Sequence, residues 1–318
     1  MIRPVAIGLC IATLLLIVWG GAVHATGSGL ACGDQWPLCH EVARAARGEP
    51  VLPTLMPRMV GGVAVEHGHR VFAALVGLGT IAFVFLAFRR PDRRLRAWAL
   101  VALGLVIAQG LLGALTVRLR LPGIVSTGHL CLSMAFLGTM IFLANRTRPP
   151  GRTAGLPRTA AVISFVLVCA EIFLGAVVRH TGAGPVCAAQ FPMCNGQWIP
   201  DGAQGLTQLA HRVLALVVLG AVVWGAARAA RTAREGGRPG ARLLALAAPC
   251  LAAVQVGLGV ATVLTGIQPV MAVLHLGVGA LFFVDQLALV LSLGPAAAPA
   301  AVGAVTEPAP IPALGASA

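Results

Sequence analysis

Charged residues are scarce in this sequence, and lysine is absent. Asp, Glu, Lys and Arg together make up 10% of the 318 residues, whereas soluble globular domains carry about 25%. Hydrophobic residues make up 58% of the chain, and the mean hydropathy is +0.89. This composition excludes an ordinary soluble globule and indicates a protein embedded in a lipid bilayer.

The alternating pattern of membrane β-strands is also missing. The sequence instead contains long uncharged runs of about 20 residues, the length that crosses about 30 Å of hydrocarbon as a helix. A helix satisfies its own backbone hydrogen bonds in lipid, so we predict an all-α integral membrane protein. Eight transmembrane helices are expected at about 5–25, 62–88, 97–117, 124–145, 158–179, 206–227, 243–264 and 269–293.

The two ends of the chain differ in composition. The first apolar run could be a secretory signal peptide, but it has no clear small-x-small cleavage site before the next loop, and we interpret it as a helix. Residues 294–318 are mostly Ala and Pro with one charge, Glu307, a composition typical of a disordered tail.

The net charge of +13 could indicate a nucleic-acid partner, but the arginines follow the loops rather than forming a patch. Fifteen of the 23 lie near the N-terminus or in the second, fourth and sixth connections, and six lie in the other connections. The positive-inside rule then places both termini in the cytoplasm and the other loops on the outer face of the cell inner membrane. No nucleic-acid partner is predicted.

The sequence repeats itself. "AVHATGSGLACGDQWPLCH" (22–40) aligns with "VVRHTGAGPVCAAQFPMCN" (177–195), and the segment 109–130 aligns without a gap with 255–276. "EHGHRVFAALVGLG" likewise aligns with "QLAHRVLALVVLG". We therefore predict two tandem four-helix bundles, 1–147 and 148–293, followed by the tail. Because four helices separate equivalent positions, a pseudo-two-fold axis along the membrane normal should relate the halves.

Four histidines lie at a similar depth, about two turns into the even-numbered helices. They form two matched pairs, His69 with His129 and His211 with His275. Ionisable residues within a membrane span are costly and indicate function, and two imidazoles facing each other across a bundle can supply both axial ligands of a haem iron. Hydrogen bonding between helices is the alternative. Zinc is disfavoured, because no further ligand shares that depth in both halves.

The remaining histidines carry weaker signals. His24 and His180 lie at the outer ends of the first and fifth helices, where they could line a haem edge or the membrane interface. His40 lies in a loop, and His67 has no counterpart in the second half.

The eight cysteines fall into two groups. Cys10, Cys131, Cys169 and Cys250 lie within spans, where packing is the expected role. Two pairs, Cys32 with Cys39 and Cys187 with Cys194, lie in loops predicted to be external, where disulfides persist. A structural disulfide is one interpretation of each pair, and a redox or substrate-handling role is another for the first pair.

The halves differ beside one histidine of each pair. Glu66 precedes His69 by three residues and shares its helix face, whereas Gln208 holds this place in the second half. A carboxylate can move protons, but an amide can only hydrogen-bond. We infer a reactive first half and a fixed cofactor site in the second.

The arginine after each of these histidines admits two roles. A structural ion pair between Glu66 and Arg70 is possible, although Arg212 has no matching Glu. Arg70 or Arg212 could instead bind a haem propionate.

Together these residues resemble the haem A synthase family. The resemblance covers about 20 to 290 and rests on "TGSGLACGDQWPLC", "EHGHR", "STGHL", "LAHRV" and "VLHLG". The family often has an aromatic residue after the glutamate, where this chain has His67. The resemblance implies an enzyme that oxidises the C8 methyl group of haem O to the formyl group of haem A, by successive hydroxylation, for cytochrome oxidase assembly.

The resemblance also implies roles for the site residues and partners. His211 and His275 would hold a permanent haem b, and Glu66 would be the catalytic carboxylate. His69 and His129 would bind the substrate porphyrin, and Cys32 and Cys39 would form the external disulfide near it. Haem O synthase, cytochrome oxidase assembly factors and an electron donor are the implied partners. A di-haem cytochrome b or a haem transporter are the alternative functions.

Overall fold

The described part of the protein is a bundle of eight long helices. The computed structural model describes residues 2–33, 36, 39, 62–148 and 155–294. Within them the helices are α1 (Ile2–Ala25), α2 (Ala64–Phe88), α3 (Arg93–Arg118), α4 (Gly123–Arg146), α5 (Thr159–His180), α6 (Gly202–Glu235), α7 (Pro239–Leu264) and α8 (Pro269–Leu293). All eight are long and apolar enough to cross a membrane. The predicted all-α multi-pass architecture is confirmed.

Several helices extend past their apolar runs. α6 continues beyond the predicted 206–227 at both ends and carries three arginines in its last turns, at 228, 231 and 234. Other arginines that the sequence suggested as loop residues also lie in terminal helical turns, among them Arg118, Arg146 and Arg179. Hydropathy marks only the segment within hydrocarbon, so it misses turns that continue into the polar interface. His40 and the predicted tail from 295 onward lie outside the described residues.

Each set of four consecutive helices closes into a ring. α1, α2, α3 and α4 pack in order and α4 returns to α1, while α5 to α8 pack in the same way. The sets meet through α1 with α8, α4 with α5, and α4 with α8. A two-fold relation exchanging α1 with α5 and α4 with α8 would give this pairing. The arrangement is compatible with the predicted axis.

Two hairpin turns repeat the same backbone geometry. Two consecutive left-handed residues lie within each of the α3–α4 and α7–α8 connections, Arg120 and Leu121 in the first and Gly266 and Ile267 in the second. The Leu121 amide donates to the Thr116 carbonyl at 2.8 Å, and the Ile267 amide donates to the Thr262 carbonyl at 2.8 Å. We call the end of the bundle where odd-numbered helices finish and even-numbered helices begin the cysteine-loop end, because both cysteine pairs lie there.

Packing differs between the two rings. The buried core of the first contains Phe83, Phe136, Met140 and Leu143, whereas one core cluster of the second consists mostly of alanines on α5, α6 and α7. Small residues let membrane helices approach closely. Large apolar side chains such as Leu78 and Leu243 point outward, as expected for surfaces that face lipid.

Candidate haem-binding and active site

Each of the four predicted histidines packs against a glycine on the preceding helix. The pairs are Gly20 with His69, Gly113 with His129, Gly175 with His211, and Gly259 with His275. A Cβ atom added to Gly20 would lie 3.0 Å from the ring Cε1 of His69, and the other three distances would be 3.1 Å. A larger residue would push the ring away, so glycine fixes how closely each imidazole approaches its neighbouring helix. Sequence reasoning missed these glycines, although each occupies equivalent positions in both halves.

The two histidines of each pair belong to one site. His69 and His129 lie within electrostatic range of each other, and so do His211 and His275. The Nδ1 atoms of all four rings are buried without an aligned hydrogen bond. Buried polar atoms without partners are rare in proteins and call for an explanation. An iron porphyrin fits this pairing, because the two histidines of one ring supply all the protein ligands that a haem iron needs.

A metal site made only of protein ligands fits less well. No group of three or more His, Cys, Asp or Glu side chains among the described residues could hold a metal ion. Two imidazoles alone do not complete the tetrahedral set of a zinc site. They are sufficient for a haem iron, which takes its other ligands from the porphyrin.

A glutamine stands beside one histidine in each half. The Gln109 amide nitrogen lies 3.3 Å from Nε2 of His129, and that of Gln255 lies 3.4 Å from Nε2 of His275. Both amide oxygens are buried without a partner. Sequence analysis did not assign these residues, although a glutamine opens both copies of the repeated segment 109–130. We interpret them as polar groups available to the edge of a bound porphyrin.

Glu66 is buried and held by two contacts. The residue is only 3% exposed to solvent. One carboxylate oxygen accepts a hydrogen bond from the Cys32 backbone amide at 2.8 Å, and the other accepts from the guanidinium of Arg70. The structural ion pair with Arg70 is therefore present, and the same carboxylate joins α2 to the first cysteine loop. One turn from His69, Glu66 is fixed rather than free to rotate.

Gln208 makes the corresponding link in the second half. It is 4% exposed, and its amide donates to the Gly184 carbonyl at 3.3 Å. Gly184 begins a short 3₁₀ helix that ends at Cys187. Both residues therefore tie an even-numbered helix to a cysteine loop, but only Glu66 brings a negative charge.

Arg212 binds the second cysteine loop. Its guanidinium donates to three backbone carbonyls, at Gln190, Pro192 and Met193, and lies over the ring of Phe191. Arg70 is engaged by Glu66. Contact of either arginine with a propionate stays a prediction.

Both cysteine pairs form disulfides. The Cα atoms of Cys32 and Cys39 are 5.1 Å apart, and those of Cys187 and Cys194 are 4.4 Å apart. The four cysteines within the helices are free thiols. The predicted division between bonded and free cysteines is confirmed.

The second half contains a carboxylate that sequence reasoning did not assign. Oε1 of Glu171, on α5, lies 2.9 Å from Nδ1 of His211, although the ring N–H does not point at it with hydrogen-bond geometry. The other Glu171 oxygen is buried without a partner. Leu16 occupies the equivalent position in the first half. A carboxylate at the distal nitrogen of a metal-ligating histidine orients the ring and strengthens it as a donor. The available signal was a single acidic residue inside an apolar span.

Comparison with known families agrees with this geometry. The model of the COX15-CtaA family, described as cytochrome oxidase assembly protein, matches residues 3–287. The chain belongs to this family. The match covers both rings and therefore all the histidines, glycines and carboxylates described above.

Several curated relatives bear the name heme A synthase. The one from Symbiobacterium thermophilum is 34% identical over 267 residues, which cover 76% of this chain and 79% of the relative. The one from Shouchella clausii is 31% identical over 229 residues, covering 66% and 71%. A third, from Halalkalibacterium halodurans, is 28% identical over 228 residues, covering 67% and 72%. Membership of the family confirms the resemblance found in the sequence.

Proposed function

We propose that this protein is a haem A synthase, an oxidoreductase that converts haem O to haem A for cytochrome oxidase assembly. The observation that carries the proposal is the pair of imidazole sites, each with ring positions fixed by glycines and nitrogens without hydrogen-bond partners. Family membership and the names of the relatives support the same reaction.

In this proposal the first half binds the substrate. His69 and His129 hold the porphyrin of haem O, and Glu66 lies one helical turn from His69. The C8 methyl group would be hydroxylated in two monooxygenase-type steps, each consuming O2, two electrons and two protons and releasing one water. The first gives an alcohol and the second a hydrate, which loses water to give the formyl group. The carboxylate of Glu66, held by Cys32 and Arg70, would accept a proton or stabilise positive charge at the reacting carbon.

The second half holds the cofactor. His211 and His275 would ligate haem b, which when bound supplies one-electron redox chemistry. Glu171 orients the ring of His211, and Gln208 keeps the second cysteine loop in place without introducing an acid. This division assigns substrate chemistry to one ring and electron relay to the other.

The proposed setting is the cell inner membrane. The arginine distribution puts both termini in the cytoplasm and the cysteine loops on the outer face. Haem O synthase would supply the substrate, cytochrome oxidase assembly factors would take up haem A, and an electron donor would complete the reaction.

The test is the identity of haems extracted from cells with and without this protein. We expect haem A only in cells that express it. Replacing Glu66 by Ala should abolish haem A while both porphyrins remain bound, and Glu235→Ala, at the exposed end of α6, should leave conversion unchanged. Haem b alone in the purified protein would favour a di-haem electron carrier, and full conversion by the Glu66 variant would contradict the catalytic assignment.

A further inference from the structure

A basic cluster lies between the two rings at the cysteine-loop end. It consists of His24 in the last turn of α1 and of Arg179 and His180 in the last turn of α5. The imidazoles of the two histidines are 5.1 Å apart, edge to face. Nε of Arg179 lies 3.4 Å from Nδ1 of His24. His24 and Arg179 are equivalent in the repeat, so their contact is the kind that a two-fold axis between the rings would produce.

Arg179 has polar contacts but no opposite charge. Its guanidinium also donates to the Gly21 carbonyl at 2.9 Å. Among the described residues, the carboxylates form ion pairs with Arg70, Arg146 and His211, and none lies within ion-pair distance of Arg179. Arg179 is half-buried in a helix that crosses the membrane. A cation in such a place is costly unless an anion accompanies it.

On the second-half side, the cluster adjoins a predicted haem b ligand. A Cβ atom added to Gly21 would lie 4.0 Å from a guanidinium nitrogen of Arg179 and 2.4 Å from Leu276. Leu276 directly follows His275, and Arg179 lies within electrostatic range of that histidine. Arg179 is therefore near the turn of α8 that carries His275.

On the first-half side, the cluster adjoins the predicted substrate site. Nδ1 of His180 lies 3.1 Å from the hydroxyl of Thr127 on α4. Thr127 precedes His129 by two residues, and His180 lies within electrostatic range of His129. The cluster therefore lies between the helices that carry His129 and His275.

We propose that this cluster binds the propionate carboxylates of the porphyrins, with Arg179 binding a propionate of haem b. The inference rests on the proposed function, because it requires a porphyrin in the second half. Propionates are the anionic groups of a haem, and guanidinium binds a carboxylate through paired, charge-assisted hydrogen bonds. The arginines expected from sequence are already bonded, Arg70 to Glu66 and Arg212 to loop carbonyls. Arg179 is positively charged, lies near the turn that carries His275, and has no carboxylate partner among the described residues.

The cluster also couples the two porphyrins. His180 and Arg179 are adjacent in the chain, so carboxylates bound on either side would share the positive charge of Arg179. A change of charge in one porphyrin would then be felt by the other.

The experiment uses the purified, haem-loaded protein and measures the midpoint potential of haem b and the propionate bands of its resonance Raman spectrum. In Arg179→Gln a propionate loses its cation, so ferric iron is favoured. We expect a lower potential, by about 59 mV for a tenfold change in a one-electron equilibrium, and displaced propionate bands. Arg179→Lys should fall between this variant and wild type. Arg118→Gln, an exposed arginine at the same end of the bundle, should match wild type.

Wild-type potential and bands in Arg179→Gln would overturn the inference. If Arg179→Gln does not retain haem b, the same two measurements are made on Arg179→Lys. A wild-type potential and wild-type propionate bands in Arg179→Lys would then overturn the inference. An anionic lipid headgroup is the other source of a compensating anion. A wild-type potential that depends on phosphatidylglycerol in phosphatidylcholine vesicles, with a dependence lost in Arg179→Gln, would assign the site to lipid. Absence of haem b from the wild-type protein would instead refute the proposed function.

Discussion

The two halves of this chain share their histidine–glycine contacts and differ in where they place a carboxylate. In the first half, Glu66 lies on the helix of His69 and contacts the cysteine loop. In the second half, the acidic residue is Glu171 on α5, which contacts the ring of His211. Under the proposed function, the shared contacts would serve porphyrin binding in both halves. We propose that the first acid acts on bound substrate and that the second acts on a ligand of the cofactor.

The most severe test of this comparison removes the histidines one half at a time. His211→Ala or His275→Ala should eliminate haem b from the purified protein, because one axial ligand of a buried iron is lost. His69→Ala or His129→Ala should keep haem b and lose the substrate porphyrin. Absorption spectra and extracted haem species measure both outcomes, with immunoblots to confirm equal insertion. Equal loss of haem b in all four variants would show that the halves do not divide their roles.

A reciprocal exchange tests the acid alone. Glu66→Gln gives the first half the side chain of the second, and haem A formation should fall by about 10²-fold or more, as expected for loss of a group that transfers protons. Gln208→Glu should leave haem O conversion near wild type. The Glu66→Gln variant should still contain both porphyrins, because an amide can keep the contact with the Cys32 backbone through its oxygen. Conversion at the wild-type rate would leave Glu66 with a structural role only.

The repeat explains why the sequence singles out the histidines and Glu66 as candidate site residues. Matching segments reveal residues kept in both copies and residues that differ, and hydropathy places them at a common depth. Other parts of the site depend on neighbours that sequence spacing does not show. Gly175 and Glu171 reach His211 from a different helix, and the orientation of α5 against α6 follows only from packing.

The partners of the arginines near helix ends could not be predicted from sequence either. Arg70 and Arg212 follow equivalent histidines, but one pairs with a carboxylate and the other binds loop carbonyls. Arg179 ends the predicted span 158–179 and counts among the arginines of the connections, although the helix continues through it to His180. Its neighbours come from α1 and α8, which are distant in sequence.

The carboxylate of Glu171 gives a more moderate test. Glu171→Leu introduces the residue of the equivalent first-half position, Leu16. Without a negative charge beside Nδ1, His211 becomes a weaker donor and ferric iron is less favoured. We expect the midpoint potential of haem b to rise, with the haem still bound. Phe173→Leu, on an exposed part of α5, is the matched control, and an unchanged potential in Glu171→Leu would exclude this role.

The halves differ again at the end of the bundle opposite the cysteine loops. Asp92 caps α3 by accepting hydrogen bonds from two backbone amides and also pairs with Arg146 at the end of α4. At the equivalent position Arg238 donates to the carbonyls of Ser292 and Gly294 at the end of α8. One connection between neighbouring helices therefore uses a carboxylate, and the other uses a guanidinium.

This last difference should give the smallest effect and a distinctive pH dependence. Burial raises the pKa of the Asp92 carboxyl. This effect is outweighed by the hydrogen bond and charge of Arg146 and by hydrogen bonds from the Leu95 and Arg94 amides, so the pKa lies below its usual value. Its stabilising contribution is thus present above the pKa of the unfolded chain, about 3.9, and is lost as the pH falls through the lower folded value. Asp92→Asn keeps a capping side chain and removes the charge, so it should cost at most about 1 kcal/mol at neutral pH, as for exposed ion pairs. Thermal unfolding in detergent, compared between the variant and wild type over a pH series, should show this difference shrinking to zero under acid conditions. A constant difference at every pH would mean that the ion pair with Arg146 does not stabilise the first half.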